Sequence, residues 1–203
     1  MKHEAVVIGV SAGGFEALSI ILGQLPADFQ WPILIVQHMG AHAGDFLSGH
    51  LDRLCPLSVK EAEEKEFIKP GYVYIAPGGY HMLVEDDLSL SLSVDIRVQY
   101  ARPSVDVLFE SAADVYRNKL IGVVLTGANS DGSMGLRMIK ECGGLAIVQD
   151  PATAESSVMP AAAIKVANVD YVLPLQSIGD FLGKLEKDER VLQNIDKEEV
   201  DDE

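Results

Sequence analysis

The sequence predicts an α/β fold: a doubly wound, mainly parallel sheet with an antiparallel edge hairpin. Short β-branched runs alternate with amphipathic stretches along most of the chain, the pattern of strands joined by crossover helices. The first such run passes through a glycine-rich turn into an apolar helix. One central stretch breaks the alternation with two short strands around an acidic turn, the signal of a hairpin.

Taken in order, strands are expected at 5–10, 33–37, 57–60, 72–75, 120–125, 145–148 and 171–173. Phe15 to Leu22 follows the first strand as an apolar helix, and Leu47, Leu51 and Leu54 mark a second. Residues 80–94 read as YHMLV and LSLSV around Glu85-Asp86-Asp87, the hairpin. After Pro103, Ser104 can act as N-cap to a helix whose apolar stripe is Val105, Leu108, Phe109, Ala112, Val115 and Tyr116. Met134 and Met138 are expected in the core of the next helix, and Phe181, Leu182 and Leu185 in that of the last. Residues 1–187 make one domain. Residues 188–203 form an acidic segment expected to be a solvated, flexible tail, since 194–203 hold six acids against one lysine.

Composition narrows the function. A formal net charge of −15 argues against nucleic acid or an anionic membrane as partner, because binding phosphate takes basic patches. No apolar run approaches the ~18 residues of a membrane span, and no secretory leader opens the chain. Cys55 and Cys142 offer no disulfide framework, so a cytoplasmic setting is expected.

Gly9-Val10-Ser11-Ala12-Gly13 is a G-x-S-x-G turn between strand and helix, the pattern of a nucleophile elbow. The helix N-terminus beyond it presents free N–H groups to a developing negative charge. In open α/β sheets, functional groups gather beyond the carboxyl ends of strands. Here Ser11, His38 and Asp131 follow three such ends. A serine hydroxyl needs a base to take its proton, and histidine is suited to that near neutral pH. Aspartate would orient the imidazole and stabilise its charged form. Each residue also has a plainer role open to it: Asp131 could cap the helix carrying Met134 and Met138, and His38 could be a satisfied histidine beneath a loop. A dinucleotide site lacks its G-x-G-x-x-G, and a P-loop its Gly-Lys-Ser/Thr. His38, His42 and His50 invite a zinc reading, but no glutamate follows His38 as a zincin requires, and no metal or cofactor is expected.

The segments IGVSAGG (8–14), VQHM (36–39), GYVYIAPGGYHMLV (71–84), RPSVDVLFESAA (102–113), GVVLTGANSDGSMGL (122–136) and GGLAIVQDPATAESSVMPAAA (143–163) together resemble the catalytic domain of the CheB methylesterase family. The resemblance runs from residue 5 to about 185 and implies Ser11, His38 and Asp131 as the triad. It implies hydrolysis of glutamate γ-methyl esters on chemoreceptor cytoplasmic helices, with release of methanol, and deamidation of glutamine in some members. Ala12, Gly13, Met39 and Ala128 become candidates for the oxyanion and substrate loops. The chain departs from the family pattern where Ala12 replaces threonine, Ala128 methionine and Gly40 proline. The first strand begins at Ala5, so no receiver domain is expected before it, and regulation would fall to a separate protein. The alternative is a CheB-like module that binds a receptor or signalling partner without turnover.

Overall fold

Strands that are apolar on both faces must lie inside a sheet covered on both sides, and this requirement organises the chain. The computed structural model describes residues 3–39 and 44–201, with only the backbone of 44, 45 and 191–201. The strands are β1 (Ala5–Val10), β2 (Ile33–Gln37), β3 (Ser58–Glu61), β4 (Tyr72–Ile75), β5 (His81–Val84), β6 (Leu90–Ser93), β7 (Leu120–Val124), β8 (Leu145–Gln149) and β9 (Tyr171–Leu173). The helices are α1 (Gly14–Gly23), α2 (Gly44–Leu54), α3 (Val105–Tyr116), α4 (Ser133–Glu141), α5 (Val158–Val166) and α6 (Leu175–Asp201).

Seven strands pair in the order β3-β4-β2-β1-β7-β8-β9, and every pairing is parallel. The chain winds outward from β1 to one side, then returns to β7 on the other. The direction reverses beside β1, where a crevice opens at the carboxyl ends. Alternate residues of each strand serve the two layers. Val6, Ile8, Val10, Ile33 and Ile35 pack under α1, α2 and α6. Ala5, Val7, Leu34, Val36 and Val124 pack under α3, α4, α5 and the hairpin. All are out of solvent, and each Val or Ile so buried stabilises the fold by about 2 kcal/mol.

Some expectations change in detail. The hairpin β5–β6 forms a separate two-stranded sheet, packed on α3, not an edge of the main sheet. Met134 is 47% exposed, whereas Leu136 and Ile139 carry the inner face of α4. Leu54, at the end of α2, is half exposed. The boundary drawn at 187/188 falls inside α6. There Glu189 binds His3 and Arg190 binds Asp28 (2.8 Å), so the packed body extends at least to Arg190. No described helix is long and apolar enough to cross a membrane.

Candidate active site

Parallel register brings the ends of β1, β2 and β7 side by side. Val10 lies opposite Gln37, which makes Ser11 and His38 the next residues on adjacent strands. The His38 N–H donates to the Val10 carbonyl (3.0 Å) and the Ser11 N–H to that of Thr126 (2.9 Å). Gln37 then ties the two turns together, its Nε2 donating to the carbonyls of Ser11 (2.9 Å) and His38 (3.0 Å). Gly14 permits this, since a Cβ there would overlap Gln37 Oε1. On the other flank Thr126 donates its hydroxyl to the Ala12 carbonyl (2.8 Å), and its N–H is held by Gln149 Oε1 (2.8 Å).

Asp131 is fully buried and accepts four hydrogen bonds. Oδ2 receives His38 Nε2–H (2.7 Å) and the Val105 N–H (2.8 Å). Oδ1 receives the Ser104 hydroxyl and the Asp106 N–H, both at 2.9 Å. The carboxylate therefore does cap a helix, but it is α3. α4 starts from Gly132 in the left-handed conformation (φ 92°) with no side-chain cap. Ser104, expected to cap α3, gives its hydroxyl to Asp131 instead. Close packing makes this reach possible: a Cβ on Gly9 would overlap Val105 Cγ1 and hold the start of α3 away from the sheet. Burial alone would push the Asp131 carboxyl up. The hydrogen bonds from His38, Asp106 and Val105 outweigh it and hold the group below the ordinary carboxylate range.

The bond to Asp131 uses one ring nitrogen of His38 and leaves Nδ1. Asn129 Nδ2 sits 3.2 Å from that nitrogen while Asn129 Oδ1 accepts the Asp131 N–H (3.2 Å). With the amide oriented in this way, Nδ1 is an acceptor and Nε2 carries the proton. A second buried acid, Asp106, lies beside Asp131 and accepts from the Gly135 N–H (2.8 Å) and Gln99 Nε2 (2.8 Å). Its carboxyl is pushed up to about 6, first by burial, against the Gly135 bond and with the Asp131 charge adding to the rise.

Ser11 and His38 line one cleft of about 470 Å³ with Met39, Asn129, Arg97 and Tyr100. Ser11 is half-buried. Its Oγ bonds to none of the described residues. The Ala12 and Gly13 N–H groups likewise have no acceptor among the described residues. Gly13 caps α1 in the left-handed conformation (φ 76°), and a Cβ there would come 2.7 Å from Glu155 Cβ. Gly13 and Met39 line a second groove that Ser11 also borders, with Phe15 and Phe46. Ala12 and Ala128 are exposed and line neither cavity. His42 and Gly40 lie outside the described residues. His50 packs on Phe15, with ring centroids 4.6 Å apart. No set of three His, Cys, Asp or Glu side chains suited to a metal ion occurs among the described residues.

Sequence reasoning passed over Gln37, Gln149, Thr126 and Asn129, which fix the strand ends, and the Ser104 and Asp106 contacts. A signal was present in two of them: a lone glutamine closes each of the apolar runs ILIVQ and LAIVQ.

Comparison with known proteins bears on this arrangement. A family model described as CheB methylesterase matches residues 6–182. A relative from Leptospira interrogans is 55% identical over 187 residues, which is 92% of this chain and 97% of the relative. A protein-glutamate methylesterase/protein-glutamine glutaminase from Maricaulis maris is 41% identical over 181 residues, 88% of this chain but 45% of that longer protein. The crystal structure of the Thermotoga maritima CheB methylesterase catalytic domain superposes with a TM-score of 0.88 at 38% identity, covering 91% of this chain and 100% of that one.

Proposed function

Because the chain belongs to the CheB methylesterase family, we propose that it hydrolyses γ-methyl esters of glutamate residues in proteins, with Ser11 as nucleophile, His38 as base and Asp131 orienting the base. The observation that carries this reading is the 2.7 Å bond from His38 Nε2 to a fully buried carboxylate, in a cleft that Ser11 shares.

Ser11 Oγ attacks the ester carbonyl carbon as its proton passes to His38 Nδ1, and the Asn129 amide turns aside to let it in. Asp131 stabilises the imidazolium so formed, and the carbonyl oxygen becomes an oxyanion. The Ala12 and Gly13 N–H groups at the start of α1, which have no acceptor among the described residues, receive that charge with the helix dipole behind them. If these backbone donors suffice, the absence of a threonine hydroxyl at Ala12 is tolerated. His38 returns the proton to the methoxy oxygen, methanol leaves, and the acyl group stays on Ser11. Water activated by His38 then releases the glutamate carboxylate. The same steps on a glutamine side chain release ammonia, which is the deamidase activity in the names of several relatives. The acceptor we propose is the methylated cytoplasmic domain of a chemoreceptor, which sets the reaction in the cytoplasm, with no cofactor. Control by a separate regulatory protein fits the same setting.

The test is methanol release from a methylated chemoreceptor cytoplasmic fragment, comparing wild type with Ser11→Ala. The variant is expected to keep its melting temperature, because the hydroxyl bonds nothing among the described residues and the stability change stays within about 0.5 kcal/mol. Its methanol release should vanish. A folded Ser11→Ala protein that still releases methanol refutes the assignment. Fragment binding without turnover by the wild type would establish the docking module instead.

A further inference from the structure

The segment 94–102, between β6 and α3, is built in a way the chemistry above does not explain. It brings Arg97, Gln99, Tyr100 and Arg102 to the lining of the Ser11 cleft. Val98 and Ala101 exchange both backbone hydrogen bonds, at 3.1 and 2.8 Å. They close a two-residue hairpin with Gln99 and Tyr100 at its tip, both left-handed (φ 46° and 66°). Such a turn favours glycine or asparagine, because a larger side chain strains there. Strain of this kind persists only where the surroundings over-determine it, often at ligand clamps.

Gln99 has a local reason for its place. Its Nε2 donates to Asp106 Oδ2 and its Oε1 accepts from the Ser130 hydroxyl, both at 2.8 Å, which pins the tip to the wall behind Asp131. Arg102 Nη1 fixes the base of the segment by donating to the Val94 (2.5 Å) and Asp95 (2.9 Å) carbonyls. Tyr100 has no such reason. It is 95% exposed, beside Ile96 at 87%, on a rigidly held tip at the rim of the cleft. Arg97 lies on the same rim, and no described carboxylate forms an ion pair with it.

We propose that this hairpin is a docking clamp for the polypeptide that carries the ester, with Tyr100 as its apolar anchor and Arg97 holding a carboxylate near the reacting glutamate. The proposal rests on the esterase reading above. A tyrosine held in advance contributes contact area with little further loss of freedom. The occupant is an acidic segment of the substrate protein, because each hydrolysed site leaves a carboxylate behind. In a chain of net charge −15 an acidic partner is repelled overall. Charges farther than about 8 Å are screened at physiological salt, so a guanidinium in contact decides the local balance.

The experiment compares kcat/KM for the methylated receptor fragment with kcat/KM for a blocked single glutamate γ-methyl ester. Tyr100→Gly removes the ring and relaxes the left-handed backbone, so the fold is not lost with the contact; Arg97→Ala removes the charge. Each is expected to lower the protein-to-small-ester ratio by about tenfold, mainly through KM for the protein, as loss of an interface anchor does. Tyr100→Phe should restore the ratio, and the Arg97 effect should shrink in high salt. An unchanged ratio in both variants overturns the clamp even if Ser11-dependent turnover is intact. Binding of the same fragment to Ser11→Ala, with and without Tyr100→Gly, reads docking apart from catalysis. Equal Kd values there also overturn the clamp, and a weakening of about tenfold supports it whatever residue performs the hydrolysis.

Discussion

Replacing Asp131 by asparagine removes a charge while keeping the shape, and the hydrogen bonds say which way the amide turns. With the amide oxygen toward His38 and Val105, those two donors stay satisfied at the 2.7 and 2.8 Å positions. The Ser104 hydroxyl can reverse and accept from the new NH₂, so only the Asp106 N–H is left facing a donor. The opposite orientation sets NH₂ against both His38 Nε2–H and the Val105 N–H, which is worse. The histidine therefore keeps its tautomer, and the main loss is the negative charge beside the imidazolium. At about 4 Å between charge centres and an effective dielectric near 20, that interaction is ~4 kcal/mol, or roughly a 10³-fold fall in kcat. One unpaired buried N–H costs a further ~1–3 kcal/mol of stability, about 2–10 °C in melting temperature. Methanol release under saturating substrate and thermal unfolding of the same preparation measure the two effects separately. If Asp131 serves only as the cap of α3, the variant turns over within about tenfold of wild type while losing the same stability. That result refutes the catalytic role.

Further expectations follow from the packing around this carboxylate. Asp106, raised by burial and by the Asp131 charge to about 6 from 3.8, binds its proton more tightly folded than unfolded. Its contribution to stability therefore falls as pH rises from about 4 to about 6, by at most ~3 kcal/mol, and changes little above that. Urea unfolding at both ends of this window should show the fall in wild type and much less of it in Asp106→Asn; equal pH dependence in the two proteins counts against the shift. Gly9→Ala drives a methyl into Val105 Cγ1 and should cost ~1–3 kcal/mol along with much of the activity, by moving the α3 N–H groups off Asp131. Adding Val105→Ala should recover part of both, and a harmless Gly9→Ala would show that α3 has room to shift.

The five inner strands of the parallel sheet were legible because burial on both faces leaves apolar runs, whereas the edge strands β3 and β9 are partly exposed; all seven lie within a residue or so of their expected places. Strand-end position then pointed to Ser11, His38 and Asp131, and the structure joins His38 to Asp131. What pattern could not supply was partnership across the chain. Asp131 meets Ser104 from 27 residues away, so the local reading made each a cap for the helix that follows it, whereas the carboxylate caps the helix of its neighbour. Alternation identified the strands of the hairpin but not whether they join the main sheet, because two short strands can bury one face on α3 as well as on an edge. The tip at Gln99 and Tyr100 carried no glycine to mark it.

That the aspartate both orients the base and anchors the first turn of α3 bears on how related sequences should be sorted. A descendant that abandons chemistry is free to lose Ser11, whose hydroxyl bonds to none of the described residues. It cannot shed the aspartate as easily, since two backbone N–H groups and a hydroxyl depend on that carboxylate. Finding aspartate at this position therefore testifies to architecture as much as to turnover, and the serine is the residue to inspect when working enzymes are separated from retired ones.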